Sequence, residues 1–279
     1  MKVELTTIIA LLMILMVAFM FAPLGLGGGV LFVPIFLYLL EWEIHLAIIS
    51  SLSLVWMVSL GSRTAHSKDG FAVFEVGKKG AVAAVFGEIF GTFLSALFIM
   101  KLGDLPIKII ASLLLVWVIY YTVKKQLSEK THAHSNEEEE NPVVEGRLLN
   151  IYRAGCFGAG SSSGLLGIGG GSVFVTIHRT TLGFKQHQAA GTSYIIESWM
   201  VPTGIIAHLL VDGSAPMVFD TVGFYFVPIC MLVAGAAWLG ARVAIKMVPQ
   251  KILTYPFLIA VVAGLIRYLI DIREILLVG

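Results

Sequence analysis

The chain has 279 residues, of which 57% are hydrophobic and only 13% charged, with a mean hydropathy of +0.89. Soluble domains carry about a quarter charged residues, so this composition excludes an ordinary soluble domain and predicts an all-α, polytopic membrane protein. A net charge of +1 points to no nucleic-acid partner, and the two cysteines, Cys156 and Cys230, lie in apolar segments without metal or redox spacing.

Met1 to Glu4 lead into an apolar run ending at Phe21. It has no A-x-A-like cleavage site and continues into further apolar segments, so it reads as a first span and not as a signal peptide. With about 20 apolar residues needed per crossing, ten segments are predicted: 5–22, 30–40, 46–62, 81–100, 109–123, 148–166, 172–182, 188–210, 221–241 and 252–270. The second and seventh are about 16 Å long as helices, too short to span alone. Each follows a glycine triplet, Gly27-Gly28-Gly29 and Gly169-Gly170-Gly171. Three successive glycines cost a helix about 1 kcal/mol each relative to alanine, so each triplet reads as a helix break with bare amides. In a bilayer such a break is tolerated only inside protein or beside a wet cavity. Residues 124–147, KKQLSEKTHAHSNEEEENPVVEGR, are polar and read as a solvated linker, which assigns His132, His134 and the neighbouring glutamates to solvent and not to a metal.

An internal repeat organises the chain. Adding 142 to the first half's numbering superimposes Gly27, Gly28 and Gly29 on Gly169, Gly170 and Gly171. It also lays Phe32 on Phe174, His45 on His187, Ser51 on Ser193 and His66 on His208. If all ten segments change side, 14 of the 19 Lys and Arg residues collect on one face together with the linker. Two re-entrant short segments would leave 12 there, so the positive-inside rule favours five crossings per half. The expectation is two inverted five-segment repeats, 1–123 and 148–279, joined by a cytoplasmic linker, with both termini outside. Paired glycine-interrupted segments in inverted repeats are a building plan of secondary transporters, with substrate near the midplane.

The doubled G-x-G-G-G break is followed by Ala47-Ile48-Ile49-Ser50-Ser51 leading to Ala65-His66, and by Ala189-Ala190-Gly191-Thr192-Ser193 leading to Ala207-His208. In this pattern the chain resembles the TauE/SafE family of membrane permeases, over nearly its whole length except the linker. The resemblance implies export or uptake of sulfite, sulfoacetate or another small organosulfur anion across the cytoplasmic membrane.

A small oxyanion needs compensation for lost hydration, and helix N-termini supply it through unpaired amides at a positive dipole end. The predicted anion cradle comprises Gly27, Gly28 and Gly29 with Gly169, Gly170 and Gly171. Ser50, Ser51, Ser172, Thr192 and Ser193 are candidate hydroxyl donors. Glycines that only admit close helix packing are the competing reading. Glu88 and Glu197 are intramembrane carboxyls, and Glu197, one turn beyond Thr192-Ser193, is the candidate proton carrier. His45, His66, His187 and His208 mark the ends of segments three and eight; interfacial placement and proton coupling both suit them. The partners read from the chain are a small anionic substrate and the lipid bilayer, with no cofactor and no metal. A transporter is the leading reading; an intramembrane enzyme lacks any H-E-x-x-H or G-x-S-x-G motif, and an anion channel is the third possibility.

Overall fold

The computed structural model describes residues 5–131, 144–211, 218, 220–247 and 250–278, all helical apart from short connections. Ten α-helices of ten or more residues follow in chain order among the described residues: α1 Leu5–Phe21, α2 Gly29–Tyr38, α3 Ile44–Lys68, α4 Phe74–Leu102, α5 Leu105–Thr131, α6 Gly146–Leu166, α7 Gly171–Thr181, α8 Gln186–Val211, α9 Phe226–Met247 and α10 Gln250–Val278. They match the ten expected segments, with α3, α4, α5, α6, α8 and α10 longer than expected, α1 and α2 a residue shorter, and α9 shifted towards the C-terminus. Among the described residues, six stretches, 5–24, 44–68, 74–102, 105–124, 186–211 and 223–247, are long and apolar enough to cross a bilayer. The chain is thus a multi-pass, all-α membrane protein. Helix α5 runs eight residues past Val123 into the stretch read as linker, because Lys, Gln, Leu and Glu are good helix formers. The acidic run Glu137–Glu140 and the pair His132 and His134 lie outside the described residues.

Helix α4 turns its small and polar residues inward and its large apolar ones outward. Helix α4 exposes Val82, Phe86, Phe90, Phe93 and Leu97, while Gly80, Ala84, Gly87, Gly91 and Ser95 are buried. Lipid tails are as apolar as leucine, so helix association relies on close backbone approach and not on hiding bulky side chains. Gly87 and Gly91 of α4 lie on the carbonyls of Phe157 and Ser161 in α6, and Gly160 and Gly164 of α6 lie on those of Ala84 and Glu88. A methyl group at any of these four positions would overlap the facing backbone.

The packing repeats itself with the halves exchanged. Helix α4 packs on α6 and α8, and α9, its counterpart in chain order, packs on α1 and α3. At the centre α3 and α8 cross antiparallel. Ser59 meets Glu197 there, while further along α3 the ring of His66 reaches back to Tyr194, 5.8 Å away, and to His187, 6.1 Å away. Helices α4 and α8 run parallel, since Gly77 lies against Ile195 and Glu88 against Gly204.

Candidate functional site between the glycine breaks

The chain before α2 and α7 turns through glycines in the left-handed region, and the two breaks match pair by pair. Gly25, Gly27 and Gly28 have φ of 78°, 68° and 86°, and Gly167, Gly169 and Gly170 have 73°, 79° and 70°. Side chains other than glycine adopt such angles at a cost of about 1 kcal/mol or more. Both short helices open in the same way: Leu31 and Phe32 donate to Gly28 O at 3.0 and 3.1 Å, and Val173 and Phe174 to Gly170 O at 3.0 and 2.9 Å. Gly28 N closes back on Leu26 O at 2.8 Å, while the other first-turn amides have no preceding helical turn to bond to, so each break presents the positive end of a short helix.

The breaks face each other across α3 and α8, and both are buried. A Cβ at Gly29 would stand 2.5 Å from Ile168 O, and one at Gly171 would stand 2.6 Å from Gly25 O. Each break is pinned by the opposite half: Ser51 Oγ donates to Gly167 O at 2.7 Å and Ser193 Oγ approaches Gly25 O at 3.4 Å. Helix α8 adds two more holds on the first break, Tyr194 Oη to Ala22 O at 2.9 Å and Gln186 Nε2 to Leu24 O at 2.9 Å.

Glu197 occupies the middle. Its Oε2 accepts from Ser59 Oγ at 2.7 Å and lies 3.2 Å from where a Cβ of Gly27 would be, and its Oε1 lies 2.7 Å from the corresponding point of Gly171. The residue is fully buried and Oε1 has no hydrogen-bond partner. A buried, half-satisfied carboxyl is costly enough to require an explanation. Shifting Glu197 by 142 gives Val55, which packs against Gly27 and against Gly169. The site is therefore built on near-equivalent halves with one carboxyl on one side and an isopropyl group on the other.

Of the residues expected from the sequence, Gly27, Gly171 and Glu197 meet at this point, Gly29 lies on Ile168 of the opposite break, and Gly169 faces Val55. Gly28 and Gly170 turn towards Phe32 and Phe174 of their own short helices. Ser51 spends its hydroxyl proton on the break carbonyl of Gly167, whereas Ser193 bonds Ala190 O of its own helix at 2.9 Å and lies 3.4 Å from Gly25 O. Ser50 is buried with its Oγ unpartnered, Thr192 accepts from Val73 N at 3.1 Å beyond the break, and Ser172 is buried in the first turn of α7. His66 and His187 stand together because α3 and α8 are antiparallel, whereas the repeat lays His66 on His208 and His45 on His187. Val55, Ser59, Gln186 and Tyr194 escape a motif reading. The offset of 142 would nonetheless have paired Val55 with Glu197 and exposed the broken equivalence.

A curated protein of Haemophilus influenzae (strain ATCC 51907 / DSM 11121 / KW20 / Rd), described as "Probable membrane transporter protein", is 24% identical over 255 residues, covering 86% of this chain and 89% of its own. No solved structure matches the chain. Residues 10–268, and with them both breaks, Glu88 and Glu197, match the model of the family described as "Sulfite exporter TauE/SafE". The chain belongs to the TauE/SafE family, a family of membrane transporters.

Proposed function

We propose that the protein is a secondary transporter that moves a small sulfur-containing anion, such as sulfite or a C2 sulfonate, together with a proton. The observation that carries this reading is the Glu197 carboxyl held between two helix N-termini that would otherwise face an anion. A carboxylate and a bound oxyanion repel each other at that distance, so protonation of Glu197 favours anion occupancy and release of one favours release of the other. The Ser59 hydroxyl stabilises the charged carboxyl in the empty site. Gly27, Gly28, Gly29, Gly169, Gly170 and Gly171 supply amides and close approach, with Ser50, Ser51, Ser172, Thr192 and Ser193 as neighbouring donors once the breaks separate.

The architecture that goes with this reading is two inverted five-helix repeats, 1–123 and 148–279, with residues 124–147 as a cytoplasmic linker and both termini outside. The antiparallel α3–α8 crossing supports it, as does the parallel run of α4 and α8, which ten successive crossings require and two re-entrant segments do not. In this conformation both breaks are buried from both sides, an occluded state between outward and inward access.

The test is uptake of labelled sulfoacetate and sulfite into proteoliposomes with and without a pH gradient. Saturable uptake of unchanged anion, stimulated by an inward proton gradient, is the expected result, and Glu197→Gln should abolish the stimulation while ligand-induced thermal stabilisation remains. Uptake no greater than in protein-free liposomes overturns the reading; a converted product identifies an enzyme, and single-channel currents a channel.

A further inference from the structure

Two rows of buried polar side chains leave Glu197 in opposite directions. On α3, Ser59, Ser62 and His66 recur at helical spacing along one face, and each is 0% exposed. Ser59 bonds Glu197, whereas Ser62 Oγ and His66 Nε2 have no hydrogen-bond partner. On α4, Glu88, Thr92 and Ser95 likewise share one face at 0% exposure, and Glu88 Oε1 and Oε2, Thr92 Oγ1 and Ser95 Oγ are all unpartnered. The Glu88 carboxyl rests against Gly204, two turns along α8 from Glu197, or about 10 Å. Only a residue without a side chain leaves room for it there. Because α3 is antiparallel and α4 parallel to α8, the α3 row runs from Glu197 towards one end of the bundle and the α4 row towards the other.

Packing does not account for the second row. Helix α9 holds the equivalent place in the other half and carries no carboxylate anywhere between Phe226 and Met247. Several buried polar atoms without partners on one seam fit a file of water, because each hydroxyl stands about one turn, 5.4 Å, from the next, which is the span of one bridging molecule. The groups facing Glu88 are few. Helix α8 brings Gly204, with Glu197 two turns before it and, one turn after it, His208, whose Nε2 lies 2.8 Å from Gly164 O; Ser163 of α6, beside the Gly164 that lies on Glu88 O, is buried with its Oγ unpartnered. Helix α6 carries its arginines, Arg147 and Arg153, in its first turns, well short of Ser163.

We infer that Glu88 is a second proton-carrying carboxyl, and that the chain holds a proton route in two arms joined at Glu197: Ser59, Ser62 and His66 on one side, and Glu88, Thr92 and Ser95 on the other. A proton passes along each arm by relay, each hydroxyl or water taking up one proton as it gives up another so that O–H bonds are exchanged one for one, and across the two turns of α8 between Glu197 and Glu88 the relay runs through intervening water. The inference rests on Glu197 being the coupling site of the proposed transporter.

Two measurements on full-length protein test it. In proteoliposomes, Glu88→Gln should retain sulfoacetate-induced thermal stabilisation but lose accumulation driven by a pH gradient by about tenfold or more. Accumulation at the wild-type level overturns the inference and leaves the role of Glu197 standing. Should Glu88→Gln fail to fold, the Thr92→Val/Ser95→Ala double variant takes its place, with slowed accumulation expected and wild-type accumulation contrary. Infrared difference spectroscopy needs no substrate, so it decides even if neither sulfoacetate nor sulfite proves to be transported. A protonated-carboxyl band present in wild type, absent in Glu88→Gln and shifted rapidly in D2O supports the route, and the double variant should slow that shift. A missing band, or one that resists exchange, overturns it.

Discussion

At the scale of single residues, the six break glycines divide into those that face the opposite half and those that face their own. A Cβ at Gly171 would meet the backbone of the opposite break, Gly25 O at 2.6 Å and Leu26 C at 2.9 Å, as well as the Glu197 carboxyl, whereas one at Gly170 would meet the Phe174 ring at 2.9 Å and Ala159 O at 3.0 Å within its own half. Gly171→Ala should therefore push the breaks apart and disfavour the occluded state. In a cysteine-free background carrying Val55→Cys, its labelling by a small thiol reagent should rise about tenfold, the effect of ~1.4 kcal/mol of bias. Gly170→Ala should cost about 1 kcal/mol of stability through its positive φ and leave labelling unchanged. Equal labelling in the two variants would show that the contact across the breaks does not hold the closed state. The triplets were legible in the sequence because three glycines in an apolar run cost a helix about 1 kcal/mol each and so are not there for helix stability. Their facing directions were not, since Gly170 and Gly171 are identical in composition and differ only in which neighbour a Cβ would strike.

At the scale of helices, the ends are tied by side chains whose partners lie far away in the chain. Lys108 of α5 is 8% exposed and pairs with Asp271 of α10 at 2.6 Å and with Asp104 at 3.3 Å, and Tyr38 at the end of α2 donates to the same Asp271 carboxylate at 3.3 Å. Removing the acid leaves a largely buried ammonium with only the more exposed Asp104. Asp271→Ala should thus lose about 3 kcal/mol, whereas the apolar replacement Lys108→Met/Asp271→Leu should recover most of it. Thermal unfolding in detergent checks both; a double variant as unstable as Asp271→Ala would mean that the charges are not coupled. The existence of ten segments could be read from hydropathy, and the shortness of α2 and α7 from the glycines before them. Helix–helix pairing could not. The α4–α6 seam is made of glycines that look like breakers in sequence and act as contact points once the facing backbone is in place.

At the scale of the whole molecule, the parallel course of α4 and α8 sets an expectation for sidedness. With ten crossings and the basic face inside, residues 132–143 are cytoplasmic and the C-terminal end of α4 is outside. Cys156 and Cys230 are free thiols, so both are replaced first. In intact cells Lys101→Cys should then react with an impermeant thiol reagent and Ser135→Cys should react only after lysis. The reverse pattern would invert the topology, and labelling of both or neither would remove the ten-crossing count. The equivalence of Val55 and Glu197 has a consequence for stoichiometry. A pore-lining group on a twofold axis between identical subunits is present in duplicate, whereas a fused chain can carry it once. In the proposed cycle, a single titratable group between the two breaks would allow one hydrogen ion per anion at that point. Carriage of a monovalent sulfonate would then be electrically silent and indifferent to membrane voltage, while a divalent oxyanion would register as current.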